Sequence, residues 1–254
     1  MSIILHENEA FFNSQIKYYP DRTKIKCFTK PIFNPYNCTK HLTENEEKEL
    51  LKILTNKILN KNTGQKDLRD RKDNKRRAYE KAYEIAFAND FKYFITFTLD
   101  AKKINRYNEK EIASKIGQWL KNGVKRRNLS YLIIPEKHTD GAIHFHGLIS
   151  GNINLINSGH RTMRGQVIYN TDNWDYGFST VVQLDDQKGR IINYCMKYIT
   201  KQDEKIFGNY YLAGGNLKRT VPTEYANLDY GAIDAKQYNI KAANMSVKYL
   251  DTKD

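Results

Sequence analysis

The stretch Ala142-Ile143-His144-Phe145-His146-Gly147-Leu148-Ile149 decides how this chain is read. Two histidines flank one bulky apolar residue inside a run with strand character. Side chains alternate faces along a strand, so His144 and His146 point one way while Ile143, Phe145 and Ile149 point the other. One face is then open to a metal ion and the opposite face to a core. Two histidines on a strand are also compatible with ordinary packing, so the reading depends on what the flanking sequence adds.

Immediately upstream, Tyr131-Leu132-Ile133-Ile134-Pro135-Glu136 reads as a short strand. The loop Lys137-His138-Thr139-Asp140-Gly141 joins it to the histidine strand as an antiparallel hairpin. If Glu136 pairs opposite Ala142, then Glu136, His144 and His146 share a face, because even positions oppose even ones. Phe91-Lys92-Tyr93-Phe94-Ile95-Thr96-Phe97-Thr98-Leu99-Asp100 is the strongest strand pattern in the chain. Its odd positions are all apolar, with Lys92, Thr96, Thr98 and Asp100 opposite. A strand of this kind suits a sheet with one buried and one working surface.

Downstream, residues 151–175 read as an extended loop and 177–184 as another strand. A helix follows Asp185-Asp186. In it Ile192, Cys195, Met196 and Ile199 make one apolar stripe at i, i+3, i+4, i+7. Tyr194, Tyr198 and Lys201 are expected on the opposite side, with Lys197 at the edge. A tyrosine on an amphipathic helix is often a core filler, but this stripe excludes both.

Elsewhere the signals are coarser. Residues 1–40 read as irregular, with one short strand near Lys26-Cys27-Phe28. Thr43 and Glu46 look like a capping box ahead of a helix through Leu50, Leu51, Leu54 and Ile58. A second helix spans 66–90 and is basic in its first half. A third starts at Asn108 and is expected to stop at Gly123, with Ile112, Ile116, Trp119 and Leu120 inward. Residues after 205 read as loops, with a short helix or tail over 234–254. The expected organisation is an N-terminal extension over 1–90, largely helical and basic, a core over 91–205, and a C-terminal extension over 206–254.

The 254 residues are 40% apolar and 28% charged, an ordinary globular mix. No apolar run reaches the ~18 residues of a membrane span and no secretory apolar region opens the chain, so no membrane association is expected. Three scattered cysteines, Cys27, Cys38 and Cys195, fit a reducing cytoplasm better than a disulfide framework. Cys38 and His41 resemble half a zinc site, but the gap to Cys27 fits no usual pattern. A net charge of +13 with 18 tyrosines favours a polyanionic partner whose bases stack on rings. Arg76 and Arg77, and the cluster Lys125, Arg126 and Arg127, are the candidate DNA contacts.

Two imidazoles and a carboxylate give a divalent ion three ligands and leave positions open for water and substrate. Beside a basic surface, such an ion suits a phosphodiester. A tyrosine hydroxyl is a poor nucleophile until it loses its proton, which nearby lysines and a metal favour. Tyr194 and Tyr198, four residues apart on one helix, could act in succession on one site.

Glu136, the His144-Phe145-His146 triplet, and Tyr194-Cys-Met-Lys197-Tyr198-Ile-Thr-Lys201, in that order, resemble the HUH endonucleases. Within them, the chain looks like the rolling-circle replication initiators of phages and plasmids with paired tyrosines. Phe94-Ile-Thr-Phe-Thr98 looks like the first family motif, and Trp174 to Gly177 also fits, so the resemblance covers about residues 76–201. It implies an α+β fold: a five-stranded antiparallel sheet flanked by helices, ferredoxin- or RRM-like, here with an N-terminal helical extension. It implies a nickase holding Mg²⁺ or Mn²⁺ on His144, His146 and Glu136, with His138 as the rival third ligand. A tyrosine would attack single-stranded or locally melted origin DNA, leaving a 5′-phosphotyrosine and a 3′-OH primer, with Lys201 and Lys197 assisting. No GxxxxGK[ST] loop is present, so a host helicase and polymerase are the expected partners, in a bacterial cytoplasm. The rivals are a relaxase, whose tyrosine should precede the histidines, a single-strand transposase, and a non-catalytic nucleic-acid-binding domain.

Overall fold

The computed structural model describes residues 11–33, 44–45, 48, 51–52, 66–186, 188–202, 204–240 and 245–251. The helix expected from Thr43 and its capping box fall almost wholly outside the described residues. The described chain is α+β, with two antiparallel sheets and three helices in two compact units. One unit comprises residues 1–70 and 221–254, the other residues 71–220. No helix among the described residues is long and apolar enough to cross a membrane.

In the first unit, β1 (Phe11–Tyr18) and β2 (Arg22–Phe33) form a hairpin where irregular structure was expected. β10 (Thr223–Ala226) pairs with β1, while β12 (Met245–Asp251) pairs with β2 and with the outermost strand β11 (Gln237–Ile240). The expected loops and tail after residue 220 are therefore corrected to sheet. Ile16, Ile25, Ala226 and Ile233 form the core. The period-2 signal was masked because Ser14, Lys24, Lys26 and Lys248 are buried among the apolar positions. The Lys248 ammonium reaches the Tyr230 carbonyl at 2.9 Å and the Ile233 carbonyl at 2.5 Å, which satisfies its charge within the unit.

The second unit holds the stretch quoted at the outset. Its sheet runs β6-β7-β8-β3-β5-β4-β9, every pairing antiparallel. β3 is Tyr93–Leu99, β4 Ser130–Lys137, β5 Ile143–Ser150, β8 Gly177–Gln183 and β9 Leu212–Gly214. β6 (Ile156–Arg161) and β7 (Val167–Asn170) form a hairpin within the expected loop, so the sheet extends beyond five strands. That hairpin is mostly exposed, which leaves no apolar alternation for sequence to show.

Helix α1 (Lys66–Ala88) buries Ala82, Tyr83, Ile85, Ala86 and Phe87 and is closed by Asn89, whose amide donates to the Ile85 carbonyl at 2.8 Å. Helix α2 (Glu109–Arg127) covers the odd-numbered face of the sheet. Its Ile112, Ile116, Trp119 and Leu120 join Ile95, Phe97, Ile133, Phe145 and Ile149 in one core. Trp174 stacks on Phe97 there, 4.4 Å between centroids. The Asn108 cap accepts from the Glu111 N–H as expected, but Gly123 does not end the helix. Asn128 does, in the left-handed region at φ 50°. Gly123 is glycine for space, since a Cβ there would stand 2.7 Å from Leu129 Cδ2. Helix α3 (Lys188–Lys201) lies against β4 and β5.

Candidate active site

The face of the sheet turned away from α2 carries the site. β4 and β5 pair with Glu136 opposite His144 and Ile134 opposite His146, a register two residues away from the expected one. A two-residue slip keeps every side chain on its face, so Glu136, His144 and His146 do share a surface. β3 lies on the other side of β5, with Thr96 opposite His146 and Thr98 opposite His144. Thr96 Oγ1 is 3.1 Å from His146 Nδ1, and Thr98 Oγ1 is 3.3 Å from His144 Nδ1. Each imidazole is thus held at Nδ1 by a threonine from the neighbouring strand, which leaves Nε2 as the working nitrogen.

His146 Nε2 is 3.0 Å from Glu136 Oε2, and the Lys201 ammonium is 3.8 Å from Glu136 Oε1. Burial pushes His146 down to about 4, and His138 and Lys201 push the same way. His144 is lowered as well, first by burial and then by its histidine neighbours. Both rings are therefore neutral at neutral pH, the form that offers a lone pair to a cation. The His144 ring stacks on His138, 4.1 Å between centroids. The three expected ligands are consequently not gathered: among the described residues, no group of three or more His, Cys, Asp or Glu side chains is arranged to hold a metal ion. Glu136 and His146 touch, while His144 faces the rival His138.

α3 brings the tyrosines to this face. Ile192, Cys195, Met196 and Ile199 are buried as the stripe predicted, and full burial pushes the Cys195 thiol up. Tyr198 is a correction, because it is buried with the stripe and not opposite it. It sits on the flank of the apolar arc, where the helix meets the histidines and not an aliphatic surface. Its ring lies on His146 with centroids 3.7 Å apart and planes 8° apart. Tyr194 is 48% exposed. The Tyr198 hydroxyl donates to Tyr194 Oη at 2.6 Å, and burial, then that bond, raises the Tyr198 phenol. Phe94 of β3 meets Tyr194 edge-on at 5.9 Å.

The lysines divide. Lys201 Nζ lies 5.1 Å from the Tyr198 ring centroid and beside Glu136. Lys197 is exposed and lines a cleft on the outer side of α3. The C-terminal end of α3 is tied down by Gln202, whose amide donates to the Pro135 carbonyl at 2.7 Å and the Tyr210 carbonyl at 3.2 Å. Lys75 of α1 donates to the Gln202 carbonyl.

The expected DNA contacts are not brought to the site. Lys125, Arg126 and Arg127 end α2, which packs on the other face of the sheet. The Arg127 guanidinium lies over the Trp119 ring at 5.2 Å. Arg76 pairs with Asp73 at 3.6 Å, and Arg77 lines a separate cavity of about 600 Å³ with Lys81, Lys205 and Arg219. Sequence reasoning gave Thr96, Thr98, Phe94 and Gln202 no role. The shared even parity of the threonines and histidines was visible, but not that β3 adjoins β5.

The segment that builds this face also carries a likeness to known proteins. No curated protein and no solved structure matches the chain. Residues 92–203, from the start of β3 to the end of α3, match a family model of replication-associated proteins, the ORF2 family. That match supports a replication-initiator role for which DNA is the partner.

Proposed function

We propose that this protein is an HUH-type nickase that opens single-stranded or locally melted origin DNA for rolling-circle replication in a bacterial cytoplasm. The observation that carries the reading is the placement of the Tyr194–Tyr198 hydroxyl pair directly on the His146–Glu136 pair. Structural packing alone gives no reason for two phenols, two neutral imidazoles, a carboxylate and an ammonium to converge on one sheet face.

In this reading Tyr194 acts first. Its Oη is the exposed member of the pair and attacks phosphorus, so the Oη–P bond forms as the P–O3′ bond breaks. The departing oxygen takes up a proton to become the 3′-OH primer, and the 5′-phosphate stays on the tyrosine. The Tyr194 proton leaves to solvent, and the Tyr198 O–H donates to the phenolate that remains. Tyr198 attacks in the second transfer, which rejoins strands. Lys201 fixes the Glu136 carboxylate, and Lys197 meets the DNA backbone.

Glu136, His144 and His146 would hold the divalent cation, His144 joining on leaving its stack with His138. The donor set fits a hard ion with nitrogen tolerance, as two neutral imidazoles and a carboxylate do. Mg²⁺ or Mn²⁺, when bound, supplies Lewis-acid polarisation of the phosphodiester and neutralises its charge. A host helicase and polymerase would separate and copy the strands.

The test is a reaction of the protein with single-stranded origin DNA and Mn²⁺, followed by denaturing electrophoresis and mapping of the covalent peptide. An adduct on the α3 peptide is expected. Adduct formation by the Tyr194→Phe/Tyr198→Phe protein would show that the nucleophile lies elsewhere. Undiminished cleavage by His144→Ala/His146→Ala would sink the metal assignment.

A further inference from the structure

A cleft of about 660 Å³ opens beside Tyr194, within the ~300–1,000 Å³ range of small-ligand sites. Phe94 of β3 and Val182 of β8 form its floor. One wall is the turn between β6 and β7, with Met163 and Arg164. The other is the outer side of α3, with Arg190, Asn193, Tyr194 and Lys197. Three cations thus stand around an apolar floor, and no carboxylate is among the described residues that line it.

The turn wall is built, not loose. The Thr162 N–H donates to the Gln166 carbonyl at 2.8 Å and the Gly165 N–H to the Thr162 carbonyl at 2.9 Å. The Arg161 guanidinium donates to the Gly165 carbonyl at 2.7 Å, and the Gln166 amide ties the turn to Asp185 Oδ2 at 2.9 Å. On this fixed turn Met163 is held fully in solvent. A large apolar side chain presented in that way has contact area to offer a ligand.

We infer that this cleft binds a nucleobase of single-stranded DNA next to the phosphate that Tyr194 attacks, with Arg164, Arg190 and Lys197 on the flanking phosphates. The inference rests on the function proposed above for its choice of nucleic acid. A base needs a flat apolar contact and its phosphates need cations, and this cleft offers both within one opening. In a duplex the base faces are hidden by stacking, so only an unpaired strand can fill the floor. Phe94 touches both the cleft and Tyr194, so a base seated there fixes which phosphate meets the nucleophile. Lys197 thereby acts on the strand, whereas Lys201 acts on Glu136.

Binding is measured by fluorescence anisotropy in EDTA, so that no cleavage is required. The probes are labelled dT30 and a 30-mer of the same backbone made of abasic residues. Wild-type protein should prefer dT30. Asn193→Trp, which fills the cleft from an exposed position, should reduce that preference about fivefold or more, the lower end of what stacking of one base contributes. Arg164→Ala/Arg190→Ala should weaken both probes about tenfold and flatten the salt dependence, by roughly 0.7 in log–log slope per lost phosphate contact. Both variants should melt like wild type by circular dichroism, since all three positions are exposed. An unchanged dT30-to-abasic ratio in Asn193→Trp, or unchanged dT30 affinity in the arginine variant, overturns the assignment. Adducts in Mn²⁺ with an unchanged ratio would sink the cleft alone. A changed ratio without adducts would sink the tyrosine chemistry and leave the cleft standing.

Discussion

The Tyr198 ring lies flat on the His146 imidazole, 3.7 Å between centroids, while its hydroxyl reaches Tyr194 Oη at 2.6 Å. One residue therefore links the half of the site that would activate a phosphate to the half that would attack it. The link also makes the two tyrosines unequal, since Tyr198 is nearly buried and Tyr194 half-exposed.

That inequality predicts different defects for the two single variants. Tyr194→Phe should abolish the first covalent adduct with a single-stranded substrate. Tyr198→Phe should still form it, with a yield lowered about tenfold through loss of one hydrogen bond to a charged oxygen, and should fail to rejoin strands. Adduct yield on denaturing gels reads the first step, and transfer to a second labelled oligonucleotide reads the second. A Tyr194→Phe protein with wild-type adduct yield would reverse the order assigned here.

Thr96 and Thr98 reach the histidines at Nδ1 and touch no proposed ligand position. Replacing both with valine keeps their shape and strand preference but removes the partners that orient the rings. Mn²⁺ affinity, measured by isothermal titration calorimetry, should fall about 10- to 100-fold, the usual cost of losing such outer partners. Affinity within twofold of wild type would show that the threonines do not set the imidazole tautomer.

Arg127 should prove to be a stability residue. Its guanidinium covers Trp119, and its Nε and Nη2 are buried with no hydrogen-bond partner among the described residues. Arg127→Ala should lower unfolding free energy by about 1–2 kcal/mol in urea titrations, through lost cation–π and stem packing. It should leave dT30 affinity nearly unchanged. A large loss of binding with unaltered stability would return Arg127 to the DNA contacts.

Cys195 is sealed in the core face of α3, and burial raises its thiol, so the reactive thiolate is scarce. Native protein treated with a thiol-specific dye at pH 8 should leave Cys195 unlabelled by peptide mapping, while the partly exposed Cys27 labels. In 6 M guanidinium both should react. Rapid native labelling of Cys195 would mean that α3 does not hold its place on the sheet.

What the sequence determined by itself was side-chain parity along each element. The histidine strand, its hairpin partner, the β3 pattern and the apolar stripe of α3 were legible because alternation and the 3.6-residue period are local properties of the backbone. The face shared by Glu136, His144 and His146 survived an error of two residues in register, because parity does not change under an even slip. Only the tertiary structure decided which strands are neighbours and at what angle the helix docks. Those choices put Thr96 and Thr98 behind the imidazoles, turned Tyr198 from the expected outer side onto His146, and set the β6–β7 turn across from α3. They also drew residues 11–33 together with 223–251, whose inward positions include lysines that no periodic pattern would mark as buried. Strand order and docking angle arise from summed packing between segments far apart in the chain, so a local sequence pattern does not carry them.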